Sequence, residues 1–310
     1  MPSAEIKLRS MRADEWDRVA ELICHSTNRW YQAGNKPAIF PHGPESCRLF
    51  CEVYEDLDPG CCVVAEDAGT GQLLGSCFYH PRETHVSLGI MNAHPDAFSR
   101  GVAGKLLRYI IDFAEKQSKP VRLVSSAMNL DSFSLYNRNG FVPRKLFQDM
   151  FVPTPDKLPA TTAGFERIRD ATPADVPAMV DLEDELAHIH REKDYRYFLE
   201  NRRGVWHTSV YESPGGKIDG FLVSVAHPGS NMLGPGVMRS EEQAAALILK
   251  ELQVRRGATP VLLAPVECSA LVQTLYSWGA RNCEIHFAQV RGEYRPPSGV
   301  VMPTFMPETA

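Results

Sequence analysis

The chain has 310 residues of ordinary globular composition, 44% hydrophobic and 23% charged, which is long enough for two domains with separate cores. Its formal charge of −5 is spread along the chain without a basic block. Nucleic acid is therefore not expected as a partner, because phosphate recognition needs clustered Lys and Arg. No stretch approaches the ~20 apolar residues of a membrane span and no secretory pattern is present, so no membrane partner and a cytoplasmic location are expected.

A short strand over 5–9 leads into a helix over 13–28, where Trp16, Val19, Ala20, Leu22 and Ile23 recur at helical spacing. A loop rich in Gly, Pro and aromatic residues follows over 30–44, then a second helix over 45–54. Strands over 61–66, 73–80 and 84–93 read as an antiparallel meander, with Ala68-Gly69-Thr70-Gly71 supplying turn chemistry. After a turn at His94-Pro95-Asp96, the run Ser99-Arg100-Gly101-Val102-Ala103-Gly104 opens a helix whose apolar face carries Leu106, Leu107, Ile110, Ile111 and Ala114. A strand over 121–127 follows. Asp131 or Asn129 then caps a short helix that Gly140 ends, and a strand over 146–152 closes the first half. The eight cysteines include no Cys-x-x-Cys pair, so no metal is expected and free thiols fit a reducing compartment.

Small residues at the strand-to-helix junction over 99–104 let backbone N–H groups converge on an anion, and the helix N-terminus adds partial positive charge. The junction lacks both the Gly-Lys-Ser/Thr ending of a Walker loop and the full Gly-x-Gly-x-x-Gly of a dinucleotide site. It resembles the acetyl-CoA pyrophosphate loop of the GNAT acetyltransferase superfamily, Gln/Arg-x-x-Gly-x-Gly/Ala, with Phe98-Ser99-Arg100-Gly101-Val102-Ala103 in register. Phe98 replaces the family's polar residue. A second stretch, from Asn129 through Ser132, Leu135 and Tyr136 to Gly140-Phe141, resembles the family's Asn-x-x-Ala-x-x-Leu-Tyr-x-x-x-Gly-Phe element and follows in the family's order.

The resemblance implies an α/β (α+β) fold with a mixed, mostly antiparallel sheet flanked by helices, and acetyl-CoA as acyl donor. Met91, Asn92 and Ala93 would pair with the pantetheine arm. The loop from Phe98 through Ser99, Arg100, Gly101, Val102, Ala103 and Gly104 to Lys105 would hold the pyrophosphate, with Asn129 and Ser132 beyond it. Tyr136 would protonate the departing thiolate. The family's strand-four Glu falls at Ser87, which cannot act as a base unaided. Period-two alternation puts His85, Ser87 and Gly89 on one face, making His85 the nearest substitute base and Glu83 the next, with a water chain as an alternative. Asn28, Trp30 and Tyr31, in the stretch before the second helix, are candidates for lining the acceptor cleft; Trp30 and Tyr31 alternatively close the core.

The pattern then restarts. A Pro/Thr/Ala-rich linker over 153–163 separates a first domain, 1–152, from a second over 164–291, where 165–172 and 173–186 repeat the strand-then-helix opening. Leu275-Tyr276-Ser277-Trp278-Gly279 echoes Leu135-Tyr136 and Gly140, so the chain reads as an internal duplication. The second copy departs at its own strand-to-helix junction, where Ser240 and Gln243 form a capping box and Glu241 and Glu242 would repel a diphosphate. It reads as a degenerate partner of the first. His188 and His190 splay too far apart on a helix for a metal pair. A Pro-rich tail over 292–310 has no clear periodicity.

The function expected is acetyl-CoA-dependent transfer of an acetyl group to a primary amine of a small molecule or peptide, in the first half. A non-catalytic acyl-CoA-binding or scaffold protein is the alternative, and a longer acyl or aminoacyl cargo is a third. Monomer and homodimer both remain open.

Overall fold

One element order occurs twice along the chain in the computed structural model, which describes residues 5–153 and 158–309. The first copy runs β1 (Ile6–Ser10), a 3-10 turn at Ala13–Glu15, α1 (Trp16–Ala33), α2 (Pro44–Leu57), β2 (Cys62–Asp67), β3 (Leu73–Pro81) and β4 (Val86–Ala93). It continues with α3 (Val102–Lys116), β5 (Val121–Ser126), α4 (Leu130–Arg138) and β6 (Val142–Phe151). The second copy runs β7 (Ile168–Asp170), a 3-10 turn at Pro173–Asp175, α5 (Val176–Ala187), α6 (Glu192–Glu200), β8 (Trp206–Glu212), β9 (Ile218–His227) and β10 (Ser230–Met238). It ends with α7 (Glu241–Val254), β11 (Val261–Pro265), α8 (Ser269–Ser277) and β12 (Arg281–Arg291). Three short strands follow in the tail: β13 (Val300–Met302), β14 (Thr304–Phe305) and β15 (Glu308–Thr309). Of the linker expected over 153–163, residues 154–157 lie outside the described residues, as do 1–4 and 310.

The duplication reaches individual side chains. Arg9 forks onto Glu15 at 2.7 Å and its Nε reaches Glu66 on β2 at 3.1 Å. In the second copy Arg169 forks onto Asp175 at 2.8 and 2.7 Å, and its Nε reaches Glu212 on β8 at 2.8 Å. In each copy the acid closes the 3-10 turn that enters the first helix, so the same charged device fixes the strand-to-helix angle twice.

The two copies share one sheet, in the order β1-β2-β3-β4-β5-β12-β6-β11-β10-β9-β8-β7 with β13 added to β10. The closing strands are exchanged: β12 of the second copy pairs with β5 of the first, and β6 of the first pairs with β11 of the second. Each half therefore completes the other's sheet. All pairs are antiparallel except β4–β5 and β10–β11. One face of the sheet is covered by α1, α2, α5 and α6 in a single core that runs across both halves and includes Tyr54, Phe78, Tyr195, Phe221 and Met306 of the tail. On the other face α3 and α7 each cover their own half.

The first helix is longer than the sequence pattern suggests. It continues to Ala33 because nothing before Gly34 breaks it, so Trp30 and Tyr31 ride on its last turn rather than in a loop. The tail, which has no periodicity in sequence, is tied down strand by strand against the sheet. Among the described residues no helix is long and apolar enough to cross a membrane.

Candidate active site

The cleft begins where two parallel strands part. β4 and β5 are paired only at Val86–Val121 and Ser87–Arg122, and beyond that point they diverge. The register between β3 and β4 also shifts after Cys77–Met91, so Gly89 and Ile90 both lie opposite Phe78 as a bulge in β4. A Cβ on Gly89 would stand 2.9 Å from His80 Nε2 and 3.0 Å from the Phe78 carbonyl, so only glycine fits there. The gap side of β4 over 88–93 is thus left without a ladder partner, beside the bulge.

Past β4 the chain turns through Ser99, at φ +66°, and Gly101, at φ +76°, into α3. No side chain caps this helix, and its first i→i−4 bond runs from Lys105 N to Gly101 O. The N–H groups of Val102, Ala103 and Gly104 therefore stand ahead of the helical ladder, with open space over Gly101 and Gly104. This cradle fits a diphosphate. Phe98 is 67% exposed. Arg100 is turned to Asp67 Oδ2 at 3.0 Å, so it braces the loop against β2, and its hydrogen bond holds the Asp67 carboxyl below the usual range. Lys105 is exposed at the mouth of the cradle. On β4, Asn92 Nδ2 donates to Thr27 Oγ1 at 3.0 Å, and Met91 and Ala93 are half-buried. Asn129 Oδ1 accepts from Ser132 N at 3.0 Å and starts α4.

The second half has the same geometry and has filled it. β10 and β11 pair only at Met232–Val261 and Leu233–Leu262, and a bulge at Gly234–Pro235 follows. There β13 adds to β10 through Gly236–Met302, Val237–Val301 and Met238–Val300, so the chain's own tail forms a ladder along the edge that has no ladder partner in the first half. Pro235 offers no N–H at the bulge. The helix after it is capped as the sequence pattern predicts, with Ser240 Oγ accepting from Gln243 N at 3.3 Å and Gln243 Oε1 accepting from Ser240 N at 3.2 Å.

Tyr136, on the buried side of α4, sits with Cys77 in the core under α3. Burial raises its hydroxyl's pKa, and the Cys77 thiol and the Glu308 carboxyl push in the same direction. Glu308 belongs to the tail: β15 lies against both β4 and β5 without joining either ladder. The Tyr54 hydroxyl holds the tail by donating to the Phe305 carbonyl at 3.1 Å. Glu308 is partly exposed as a residue, yet its Oε2 is enclosed without a hydrogen-bond partner, and burial pushes its carboxyl well above the usual range. The sequence held no local signal for this carboxylate.

The two base candidates read from sequence do not suit the task. His85 is fully buried with both ring nitrogens engaged, Nδ1 with Thr84 Oγ1 at 2.9 Å and Nε2 with Ser87 Oγ at 3.0 Å. Burial, then the charges of Arg122, Arg191, Arg82 and Lys119, hold its pKa well below the ordinary value. Glu83 is exposed in the β3–β4 hairpin, beyond the Pro81–Val86 pair and so at the closed end of the cleft. Instead the structure brings forward His80 on β3, the register partner of Ser87. Its Nδ1 lies 2.7 Å from Asp58 Oδ2, and its Nε2 is buried without a partner.

The expected acceptor residues divide. Asn28 pins the α1–α2 loop, with Nδ2 donating to the Phe40 carbonyl at 3.1 Å and Oδ1 accepting from Phe40 N at 2.9 Å. Trp30 stacks edge-on against Tyr31, with ring centroids 4.9 Å apart. The Tyr31 hydroxyl donates to Glu284 Oε2 of β12 at 2.9 Å, and Ser126 of β5 donates to the same carboxylate. Tyr31 thus joins α1 to the strand the second half contributes.

Residues 23–141 match the family model described as acetyltransferase (GNAT) family. The first half belongs to the GNAT family. Acyl transfer from a coenzyme A thioester is the class of chemistry that membership indicates. Across the whole chain the fold is similar to a Pyrococcus horikoshii protein described as an acetyltransferase, with a TM-score of 0.76 at 15% identity, covering 97% of this chain and 94% of that one. It is also similar to a tandem GNAT protein from the clavulanic acid biosynthesis pathway, with a TM-score of 0.61 at 13% identity, covering 94% and 100%. Saccharomyces cerevisiae N-myristoyltransferase with bound myristoyl-CoA gives a TM-score of 0.60 at 12% identity, covering 96% and 81%. These likenesses show the tandem GNAT fold. In sequence, 71 residues are 31% identical to the UPF0157 protein YqkA of Bacillus subtilis (strain 168), which is 23% of this chain and about a fifth (20%) of that protein.

Proposed function

We propose that this protein is an N-acetyltransferase that uses acetyl-CoA to acetylate a primary amine of a small molecule or peptide, with its active site in the first half. The observation that carries this reading is the contrast between the halves. In the first, the edge of β4 past the bulge lacks a ladder partner and α3 is uncapped; in the second, β13 covers the corresponding edge and the helix caps itself. The second half acts as the partner that completes the sheet and walls the cleft through β12.

Acetyl-CoA supplies the activated thioester carbonyl. The N–H groups of Val102, Ala103 and Gly104 hold the diphosphate, and the edge of β4 at Met91, Asn92 and Ala93 pairs with the pantetheine arm. Backbone donors at the Gly89–Ile90 bulge are placed to bind the carbonyl oxygen as it gains charge, an effect worth roughly 3 kcal/mol per donor. The Tyr136 hydroxyl, kept neutral by its raised pKa, gives its proton to the departing sulfur. The acceptor comes from the side of α1 and α2.

Isothermal titration with acetyl-CoA tests the cofactor site, and an amine panel tests transfer. Micromolar binding with turnover on at least one amine is expected. Binding without turnover across the panel would favour the scaffold reading, and a preference for longer acyl chains would change the cargo.

A further inference from the structure

His80 is completely buried, yet one of its ring nitrogens has nothing to bond to. The other is fixed. Asp58, in the turn after α2, meets His80 Nδ1 at 2.7 Å and accepts from Arg82 Nη1 at 3.0 Å through both oxygens, and Lys193 of α6 donates to its Oδ1. A carboxylate shared by these cations stays ionised, so the proton of the neutral imidazole sits on Nδ1 and the lone pair is on Nε2. That lone pair is packed against the β4 bulge, 2.9 Å from where a Gly89 Cβ would stand. His80 shares the α1/α2 face of β3 with Phe78, and its ring meets Tyr54 edge-on with centroids 4.5 Å apart. Tyr136 lies with Cys77 in the core on the opposite face of the sheet.

We propose that His80, oriented by Asp58, is the general base that takes the acceptor's proton, a role that rests on the transferase reading above. Base and acid then lie on opposite faces of the sheet, His80 beside the β4 bulge and Tyr136 under α3. The N–C bond forms as the C–S bond breaks. His80 Nε2 accepts the proton that the amine nitrogen loses, and the Tyr136 hydroxyl gives one to the thiolate. Return of the proton from the imidazolium to the phenolate through solvent restores both groups. Asp58 is a positioning residue, and the second half holds it through Lys193 and, by way of Arg82, through Asp194.

The pH dependence carries the test. The groups acting on His80 are Asp58, Arg82 and Asp194, with Lys193 on Asp58, and the ring of Tyr54 packs on it with Glu308 of the tail acting on Tyr54 in turn. Burial pulls the His80 pKa below its ordinary value and Asp58 pulls it up. In the wild type, kcat/KM is expected to fall on the acid side of a limb lying below pH ~6.5. His80→Gln is expected to lower kcat about 10²–10³-fold, to abolish that limb, and to leave acetyl-CoA affinity within twofold by calorimetry. Asp58→Asn is expected to move the limb to lower pH, which a purely structural role would not do. A His80→Gln enzyme that keeps its rate and limb overturns the proposal, as does loss of the limb in Glu308→Gln alone. A wild type that binds acetyl-CoA and acetylates no amine overturns the transferase reading, and the role of His80 with it.

Discussion

Arg82, in the turn just after β3, and Asp194 on α6 form a two-pronged pair, Nε to Oδ2 at 2.8 Å and Nη2 to Oδ1 at 2.7 Å, with both side chains out of solvent. The same guanidinium reaches Asp58, so one buried cation spans two acids from different parts of the fold. Removing one partner of such a pair leaves a buried charge poorly compensated, at a cost of about 3–5 kcal/mol. Asp194→Ala is therefore expected to lower the free energy of unfolding from urea titration by that amount, with a lower midpoint, and Asp194→Asn by less. Midpoints within experimental error of wild type would mean that Arg82 is held by Asp58 alone.

Gly101 opens α3 at φ +76° with nothing near the position of an added Cβ. A side chain there meets no steric clash with its neighbours, only the left-handed backbone cost of about 1–2 kcal/mol. Gly101→Asn, which tolerates that conformation, is expected to bind acetyl-CoA nearly as well as wild type. Gly101→Glu adds a negative charge at the anion cradle and is expected to weaken binding about tenfold or more. Equal calorimetric affinities for the two variants would show that the diphosphate lies elsewhere.

Tyr136 packs against Phe141 with ring centroids 5.7 Å apart, so Tyr136→Phe keeps the ring contact and removes only the hydroxyl. Turnover is expected to fall about 10²-fold with acetyl-CoA affinity unchanged. An unchanged kcat would remove the hydroxyl from the chemistry.

The parts legible in sequence were those whose physics is local. The glycines and small residues of the 99–104 junction, the helix N-cap at Asn129 and the capping box at Ser240 and Gln243 each act within a few residues of themselves. His80 carries no local signal, because its partner Asp58 lies 22 positions away and a histidine in an apolar strand looks like any core residue. His85 shares the parity of Ser87 and Gly89 at the entry to β4, but alternation does not reveal that Ser87 and Thr84 occupy both its nitrogens. The strand exchange depends on contacts such as Ser125 with Gln289, which are 164 positions apart. Nothing in either segment encodes which half it completes. Likewise nothing within the tail tells that its buried residues divide between two cores, Val300 and Met302 packing in the second half and Met306 in the core shared by both.

The paired turns at Glu15 and Asp175 give the fold a defined acid limit. Hydrogen bonding to Arg9 lowers the Glu15 carboxyl from 4.5 to about 2, and Arg169 lowers Asp175 from 3.8 to about 2. Each acid is thus ionised more readily when folded than unfolded. Its contribution to stability is fully present above the unfolded pKa and is lost as pH falls through the folded one. The thermal midpoint is expected to hold from neutrality down to about pH 4.5 and then to drop steeply toward pH 2. Glu15→Gln with Asp175→Asn should start from a lower midpoint at pH 7 and decline less between those limits, because the linked protons are no longer taken up. Curves for wild type and the double variant that stay parallel from pH 7 to pH 2 would show that the acid sensitivity arises elsewhere, and the duplicated arginine forks would then be geometric rather than titrating devices.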